Sequence, residues 1–269
     1  MHRDNGQAMY AEERQQTIVE RARSAGRVEV RSLAATFGVT SETIRRDLGV
    51  LERRGVLRRT HGGAVPVERL RFEPEVGERL EIMAEEKSRI ARAARRFLPT
   101  RGSVLLDSGT TTSALAELLP AGRENGREAG RELTVVTNCL PIASLLAPHP
   151  ALSVLISGGR VRGTTLAAVD SLAARFLEDF TPDVAFVAAN GVSLGRGLTT
   201  PDPAEAAAKR AMVRNSRQVI LLADHTKVGQ EHFVRFAEVG ELDAFITDAG
   251  LGEEAAREFE AAGVEVMRA

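Results

Sequence analysis

From residue 103 to the end, short apolar runs alternate with helical stretches, and this rhythm constrains the chain more than any other feature. Strands are predicted at 104–107, 133–137, 152–157, 184–188, 219–223, 244–247 and 264–267. Helices are predicted near 112–119, 141–147, 170–180, 203–216 and 252–262. A βα alternation of this kind folds as a doubly wound, largely parallel sheet with helices on both faces. Ligands of such sheets bind outside the carboxyl ends of the strands. The loops at those ends are therefore where chemistry is expected.

These loops are consistently polar. After the first strand, "DSGTTT" supplies Asp107, Ser108, Gly109, Thr110, Thr111 and Thr112. The next helix starts there, so its unpaired N–H groups face the loop, an arrangement suited to a phosphate monoester. The loop lacks the Gly-Lys-Ser/Thr ending of a Walker A motif and is not G-x-G-x-x-G. Thr137 and Asn138 follow the second strand, Gly158 and Gly159 the third, and Asn190 and Gly191 the fourth. "LLADHTKVG" places Asp224 and Lys227 after the fifth.

Lysine usage sharpens this expectation. Among 36 basic residues only Lys87, Lys209 and Lys227 are lysines. Where any cation serves, this chain writes Arg. An ammonium is a compact point charge on a slim stem and can enter a closed pocket. Lys227 and Lys209 are therefore expected to reach a small anionic or hydroxylated ligand. Glu205 lies one helical turn before Lys209; as a plain surface ion pair the two would contribute only about 0.2–0.5 kcal/mol.

The first seventy residues differ in character. They carry 13 Arg against 9 acidic residues, whereas the rest is net acidic. A basic segment on an acidic body suggests that this part alone meets a polyanion. Three helical patterns occur. Ile18, Ala22 and Ala25 share one side of the first, Leu33, Ala34 and Phe37 turn inward on the second, and Ile44, Leu48 and Leu51 form the stripe of the third. Thr40 or Ser41 caps the third helix. "VLRRTHGGAVPV" then alternates around Gly62-Gly63 as a hairpin would. Glu42 and Arg46 point away from the core stripe, with Thr43 and Arg45 on its flanks. This pattern fits a recognition helix in the major groove, where Arg reads guanine. Ser41 starts that helix, and Arg58, Arg59 and His61 on the hairpin are placed to touch phosphates or the minor groove. Residues 1–65 thus read as a winged helix-turn-helix domain, 66–86 as a charged linker, and 87–269 as the α/β domain.

"TSETIRRDL", "ERQQTI" and "RTHGGA" resemble the DNA-binding domain of DeoR-family bacterial transcriptional regulators. "DSGTTT", "TN", "SGGR", "NGV", "EAAAKRAM" and "ADHTK" are similar, in order, to that family's sensor domain, itself similar to ribose-5-phosphate isomerase. The resemblance implies operator DNA as partner, facing Thr43, Arg45 and Arg46. It also implies a phosphosugar effector, with Asp107, Gly109, Thr110 and Thr111 near the phosphate and Glu205, Lys209, Asp224 and Lys227 around the sugar. Ala22 and Asp170 depart from the family's pattern, which has a larger aliphatic residue and Gly there.

The combined expectation is a repressor of sugar or carbon metabolism genes, acting as a dimer or tetramer in the cytoplasm, without cofactor, metal or catalytic residues. The alternative is an isomerase-like enzyme with an appended DNA-binding domain. Isomerisation needs a base beside a carbonyl, and the loop after the fourth strand carries no carboxylate. No apolar run is long enough to span a bilayer, the N-terminus lacks the apolar segment of a secretory signal, and the single Cys139 suits a reducing compartment. The segment 121–131 reads as a solvated loop.

Overall fold

The computed structural model describes residues 11–53, 57–60, 62–66, 76–119, 123–124, 127–128 and 132–269. Contacts divide the chain into two units, Met1–Glu73 and Pro74–Ala269.

The first unit contains α1 (Ala11–Ala25), β1 (Val28–Glu29), α2 (Val30–Phe37), α3 (Ser41–Arg53), β2 (Leu57–Thr60) and β3 (Gly63–Pro66). Ile18, Ala22, Leu33, Ile44, Leu48, Leu51 and Leu57 form its core. The expected stripe of α3 is the buried one. Ala22 is fully enclosed, so the smaller residue fits its neighbours here. α2 ends at Gly38, whose φ of 63° is the left-handed conformation that favours glycine. Thr40 caps α3 by accepting the Thr43 amide at 3.2 Å. β3 pairs antiparallel with β2 as the wing and with β1 on its other side.

One tie in this unit was not visible in the helical periodicity. Asp47 is buried in α3, where it accepts from Arg14 Nε at 2.7 Å and Gln15 Nε2 at 2.9 Å. The acidic residue of "TSETIRRDL" therefore fastens the reading helix to α1.

The second unit begins with α4 (Val76–Glu81) and α5 (Ala84–Ala94). Part of the stretch expected as linker is thus helical, while 67–75 lies outside the described residues. Glu85 and Glu86 in the first turn of α5 favour the positive end of its dipole. Then follow β4 (Arg101–Leu106), α6 (Thr110–Ala116), β5 (Arg123–Glu124), β6 (Arg127–Glu128), β7 (Glu132–Thr137), α7 (Leu140–Leu146), β8 (Leu152–Ile156), β9 (Arg160–Arg162), β10 (Ala167–Val169), α8 (Ser171–Glu178), β11 (Val184–Val187), β12 (Gly191–Ser193), β13 (Gly197–Thr200), α9 (Pro203–Asn215), β14 (Val219–Leu222), β15 (Val234–Ala237), β16 (Ala244–Thr247), α10 (Glu253–Ala261) and β17 (Glu265–Arg268).

Seven strands form one sheet in the order β17-β16-β14-β11-β4-β7-β8, and every pairing is parallel. All seven are the strands expected from the apolar runs. The runs of the inner strands are continuous because both of their faces are covered, while the edge strands β8 and β17 are partly exposed. Val104, Leu106, Phe186 and Ile220 join Ile90, Leu115 and Ile142 from α5, α6 and α7. Leu105, Val187 and Leu221 face the other way, towards Ala208 and Met212 of α9 and Phe259 of α10. Side-chain alternation along each strand feeds the two cores.

Three small sheets of the second unit went unforeseen because their segments are too brief to show a period. They are the β9–β10 hairpin, the β12-β13-β15 sheet and the β5–β6 pair, which falls where a loop was expected. Asp170 follows β10 with φ 78° and accepts the Leu172 amide at 3.1 Å as the cap of α8. The positive φ is what glycine would supply, and the carboxylate cap offsets the strain of a side chain there.

Candidate functional site

In the first unit, Ser41, Thr43, Arg45 and Arg46 occupy the start of α3. Arg45 and Arg46 are exposed, with Arg45 Nη1 3.2 Å from Glu42 Oε2. Arg58 and Arg59 lie on β2, with the Arg59 amide donating to Glu52 at 3.0 Å. His61 lies outside the described residues. A groove of about 500 Å³ runs between α2, the start of α3 and the wing, lined in part by Arg27, Arg31, Ser41, Arg45 and Arg59. Arg27 and Arg31 were missed in the sequence. Arg27 directly precedes β1, the strand that β3 recruits, and Arg31 stands in the first turn of α2.

In the second unit the expected residues collect at the carboxyl edge of the sheet, in two networks joined by α9. At the end of β4, Asp107 is fully buried and pairs with the Lys209 ammonium, which also donates to the Ala188 carbonyl at 3.0 Å. Asp107 Oδ2 accepts the Ala188 amide at 2.9 Å as well. The Lys209 ammonium lies 5.6 Å from the centre of the Phe236 ring. Lys209 is therefore held by a carboxylate, a carbonyl and an aromatic face.

The neighbouring loops brace this pair. Asn138 Oδ1 accepts the Ser108 amide at 3.0 Å, and its Nδ2 donates to the Ala168 carbonyl at 3.2 Å. The Thr137 hydroxyl donates to the Leu106 carbonyl at 2.6 Å, and that of Thr112 to the Asp107 carbonyl at 2.7 Å. Both hydroxyls thus satisfy main chain. No described residue takes the hydroxyls of Thr110 and Thr111, which stand in the first turn of α6, where helix amides have no internal partner. Gly109 lets this loop close up: a Cβ there would lie 2.8 Å from the Ala188 Cβ. Gly159, with φ 126°, brings its backbone against the Val169 carbonyl, and Gly158 precedes it at the end of β8. Cys139 is buried beneath, and burial pushes its thiol up.

The second network centres on Glu205, one turn before Lys209 and likewise buried. Its Oε1 accepts from Thr165 Oγ1 at 2.5 Å and Arg162 Nη1 at 3.3 Å, and its Oε2 accepts from Thr200 Oγ1 at 3.3 Å. Arg162 also reaches Asp202 at 3.2 Å. The β9–β10 hairpin is thereby clamped to the start of α9. Asn190 and Gly191 lead into β12, where the Asn190 amide donates to the Thr199 carbonyl at 3.1 Å.

After β14, Asp224 is buried and caps a 3-10 turn, His225–Lys227, by accepting the Thr226 amide at 3.1 Å. The Lys227 ammonium makes no hydrogen bond or ion pair with a described residue and is half-buried. His225, outside the expected set, places Nδ1 2.8 Å from Asp248 Oδ2. Burial alone would raise the Asp248 carboxyl, but the amides of His225 and Gly250 and the His225 ring outweigh it and hold it below its ordinary value. Of the two lysines expected to reach a ligand, Lys209 is thus committed within the protein, and Lys227 is not.

Among the described residues no group of three His, Cys, Asp or Glu side chains could hold a metal ion, and no helix is long and apolar enough to cross a membrane.

The DeoR-like helix-turn-helix domain matches residues 14–69, and the DeoR C-terminal sensor domain matches residues 82–249. The chain is 38% identical over 259 residues to the HTH-type transcriptional regulator GlpR of Haloferax volcanii, covering 96% of this chain and 98% of the relative. It is 31% identical to the HTH-type transcriptional repressor GlcR of Bacillus subtilis, with 89% of each chain covered. Ribose 5-phosphate isomerase A from Methanocaldococcus jannaschii superposes with a TM-score of 0.40 at 14% identity, over 54% of this chain and 55% of that one. With both domain families matched in order and a relative aligned nearly end to end, the chain belongs to the DeoR family of transcriptional regulators.

Proposed function

We propose that the protein represses sugar or carbon metabolism genes and that a small phosphorylated sugar, bound without turnover at the carboxyl edge of the sheet, sets its affinity for operator DNA. The observation that carries this reading is Lys227. Lys227, whose ammonium has no described hydrogen-bond or ion-pair partner, ends the turn that buried Asp224 caps, at the sheet edge where the first turn of α6 also lies, with hydroxyls of Thr110 and Thr111 that no described residue takes. Amides, hydroxyls and one ammonium suit a phosphate, and a carboxylate suits the sugar's hydroxyls. Asp107, Lys209, Asn138 and Thr137 form the floor that holds these groups in place.

Binding is favoured over turnover because Glu205, the carboxylate nearest to a catalytic role, already accepts three hydrogen bonds from the protein. A general base must be free to take a proton. Operator contact falls to α3, with Arg45 and Arg46 towards base edges, and to the Arg27, Arg31 and Arg59 groove towards phosphates. The protein would act as a dimer or tetramer so that two reading helices meet two half-sites. Coupling of about 1–3 kcal/mol between sites corresponds to roughly a 5–150-fold change in operator affinity.

The test is a melting-shift screen against triose, pentose and hexose monophosphates, followed by operator titration with the best hit. Arg46→Ala should weaken operator binding and leave the melting shift intact, while Lys227→Ala should do the reverse. Two variants with the same phenotype would end the proposed division of labour. Steady conversion of an aldose phosphate to its ketose would replace it with the enzyme reading.

A further inference from the structure

β12, β13 and β15 form a sheet of their own, separate from the seven parallel strands. Two large apolar side chains stand out from it. Leu194, in the turn between β12 and β13, is 43% exposed, and Phe233, just before β15, is 60% exposed. Single apolar residues on a surface are ordinary. These two belong to neighbouring segments: Arg196 Nη2 donates to the Phe233 carbonyl at 3.3 Å, and Ser193 Oγ donates to Glu231 Oε1 at 3.0 Å. The segment leading to Phe233 is also pinned from behind. The Gly229 amide donates to the Val192 carbonyl at 2.8 Å and the His232 amide to Thr199 Oγ1 at 3.0 Å. Val234 and Phe236 turn into the core, so Phe233 and Arg235 face outward on the alternate positions. A knob held in this way loses little freedom when it is covered.

Beside the knob lies a groove of about 610 Å³, between the β12–β13 turn, the end of β15 and the last turn of α10. Arg196 and Arg235 line it, which places it next to Phe233. Its lining is short of side chains at Gly195, Gly197, Gly240, Ala261 and Ala262. Gly197, with φ 76°, packs so closely that a Cβ there would lie 2.2 Å from the Ala237 carbonyl oxygen. The charges are balanced. Arg196 and Arg235 come from the strands, and Glu238 and Glu258 from the turn before residue 239 and from α10. Arg235 and Glu238 meet at 3.3 Å, with both side chains more than half exposed. Such a pair contributes little in water and is readily exchanged for another.

We propose that this face is where the sensor units of two identical chains meet, with Phe233 and Leu194 of each copy seated in the groove of the other about a two-fold axis. A two-fold interface joins a patch to its own likeness, so the patch must be self-complementary. This one holds both halves of a fit: a knob and a groove, two arginines and two glutamates. A polyanion would meet the glutamates with like charge, and a basic segment would meet the arginines. A second copy answers both signs at once. A helix-turn-helix reader also needs a second copy to meet two half-sites.

The experiment is sedimentation equilibrium of the full chain without DNA or sugar phosphate, so its outcome is independent of the effector reading. The parent should sediment as a dimer or a multiple of one. Phe233→Asp should raise the dissociation constant of this contact about thirtyfold or more, the loss expected of a central aromatic anchor, and Leu194→Asp should act in the same direction. Melting of the variants serves as the control for folding, and Phe233→Ser takes the place of Phe233→Asp should that variant not fold. Arg196→Glu and Glu258→Arg should each associate more weakly alone, while an equal mixture of the two should form a mixed dimer, because each reversed charge then faces an opposite one. A parent chain that sediments as a single copy overturns the proposal. So does a Phe233→Asp chain that associates as tightly as the parent, or a mixture of the two charge variants that associates no better than either alone.

Discussion

Lys209→Met removes the cation that faces Asp107. The side chains of Lys209 and Asp107 are 4% and 0% exposed, so the carboxylate cannot turn to water once its partner is gone. Breaking one half of a buried pair costs about 3–5 kcal/mol. The Ala188 amide still donates to Asp107, which argues for the lower figure, about 3 kcal/mol. In a unit of this size each kcal/mol moves Tm by about 2–4 °C, so the sensor transition should fall by roughly 6–12 °C. Differential scanning calorimetry of the full chain reads this directly, because the two units can melt separately. Adding Asp107→Asn should return part of the loss, since Asn keeps an acceptor for Ala188 without a charge. A single variant that melts within about 2 °C of the parent would show that Lys209 is not a structural strut and would restore it as a ligand contact.

Asp47→Ala removes the buried carboxylate that Arg14 and Gln15 share and should cost the DNA-binding unit about 3 kcal/mol, seen as early loss of its helical signal on heating. Asp170→Ala keeps the positive φ but loses the cap, and urea titration should show a loss of about 1–2 kcal/mol, whereas Asp170→Gly should stay close to neutral. Arg27→Ala or Arg31→Ala should weaken operator binding almost equally across DNA sequences and lower the salt slope by about one; a change in base preference instead would move them from phosphate to base contact. Folded Lys87 loses its proton near pH 8 against 10.5 for an ordinary lysine. Between these values the unfolded chain binds more protons, so stability should rise with pH over that window, and Lys87→Met should flatten the rise.

Strands β4, β7, β11, β14 and β16 could be read from the sequence because parallel strands buried on both faces need unbroken apolar runs, and the partly exposed edge strands β8 and β17 keep short apolar runs of the same kind. Those runs place the loops, and hence Asp107, Asn138, Asp224 and Lys227, at one edge. The division of labour among these residues could not be read. Nothing in "EAAAKRAM" says that Lys209 meets a carboxylate 102 positions earlier, or that Glu205 is claimed by Thr165 and Arg162. Such pairings depend on how α9 lies over the sheet, which local periodicity does not encode. Asp47 was hidden for the same reason: a polar residue next to an apolar stripe gives the same pattern whether it meets solvent or Arg14. Lys87 went unassigned because its partners are main-chain carbonyls, which leave no mark on residue type.

The most direct measurement is a titration of the intact protein onto operator DNA, selected from a random library, with and without the sugar phosphate that most raises its melting temperature, for the parent chain and Lys227→Ala. The parent should change its DNA affinity severalfold when the ligand is added, and Lys227→Ala should bind DNA equally well in both conditions. A parent chain indifferent to every phosphorylated sugar, or a Lys227→Ala chain that still responds fully, would contradict the claim that an anion at this strand end governs the reading head.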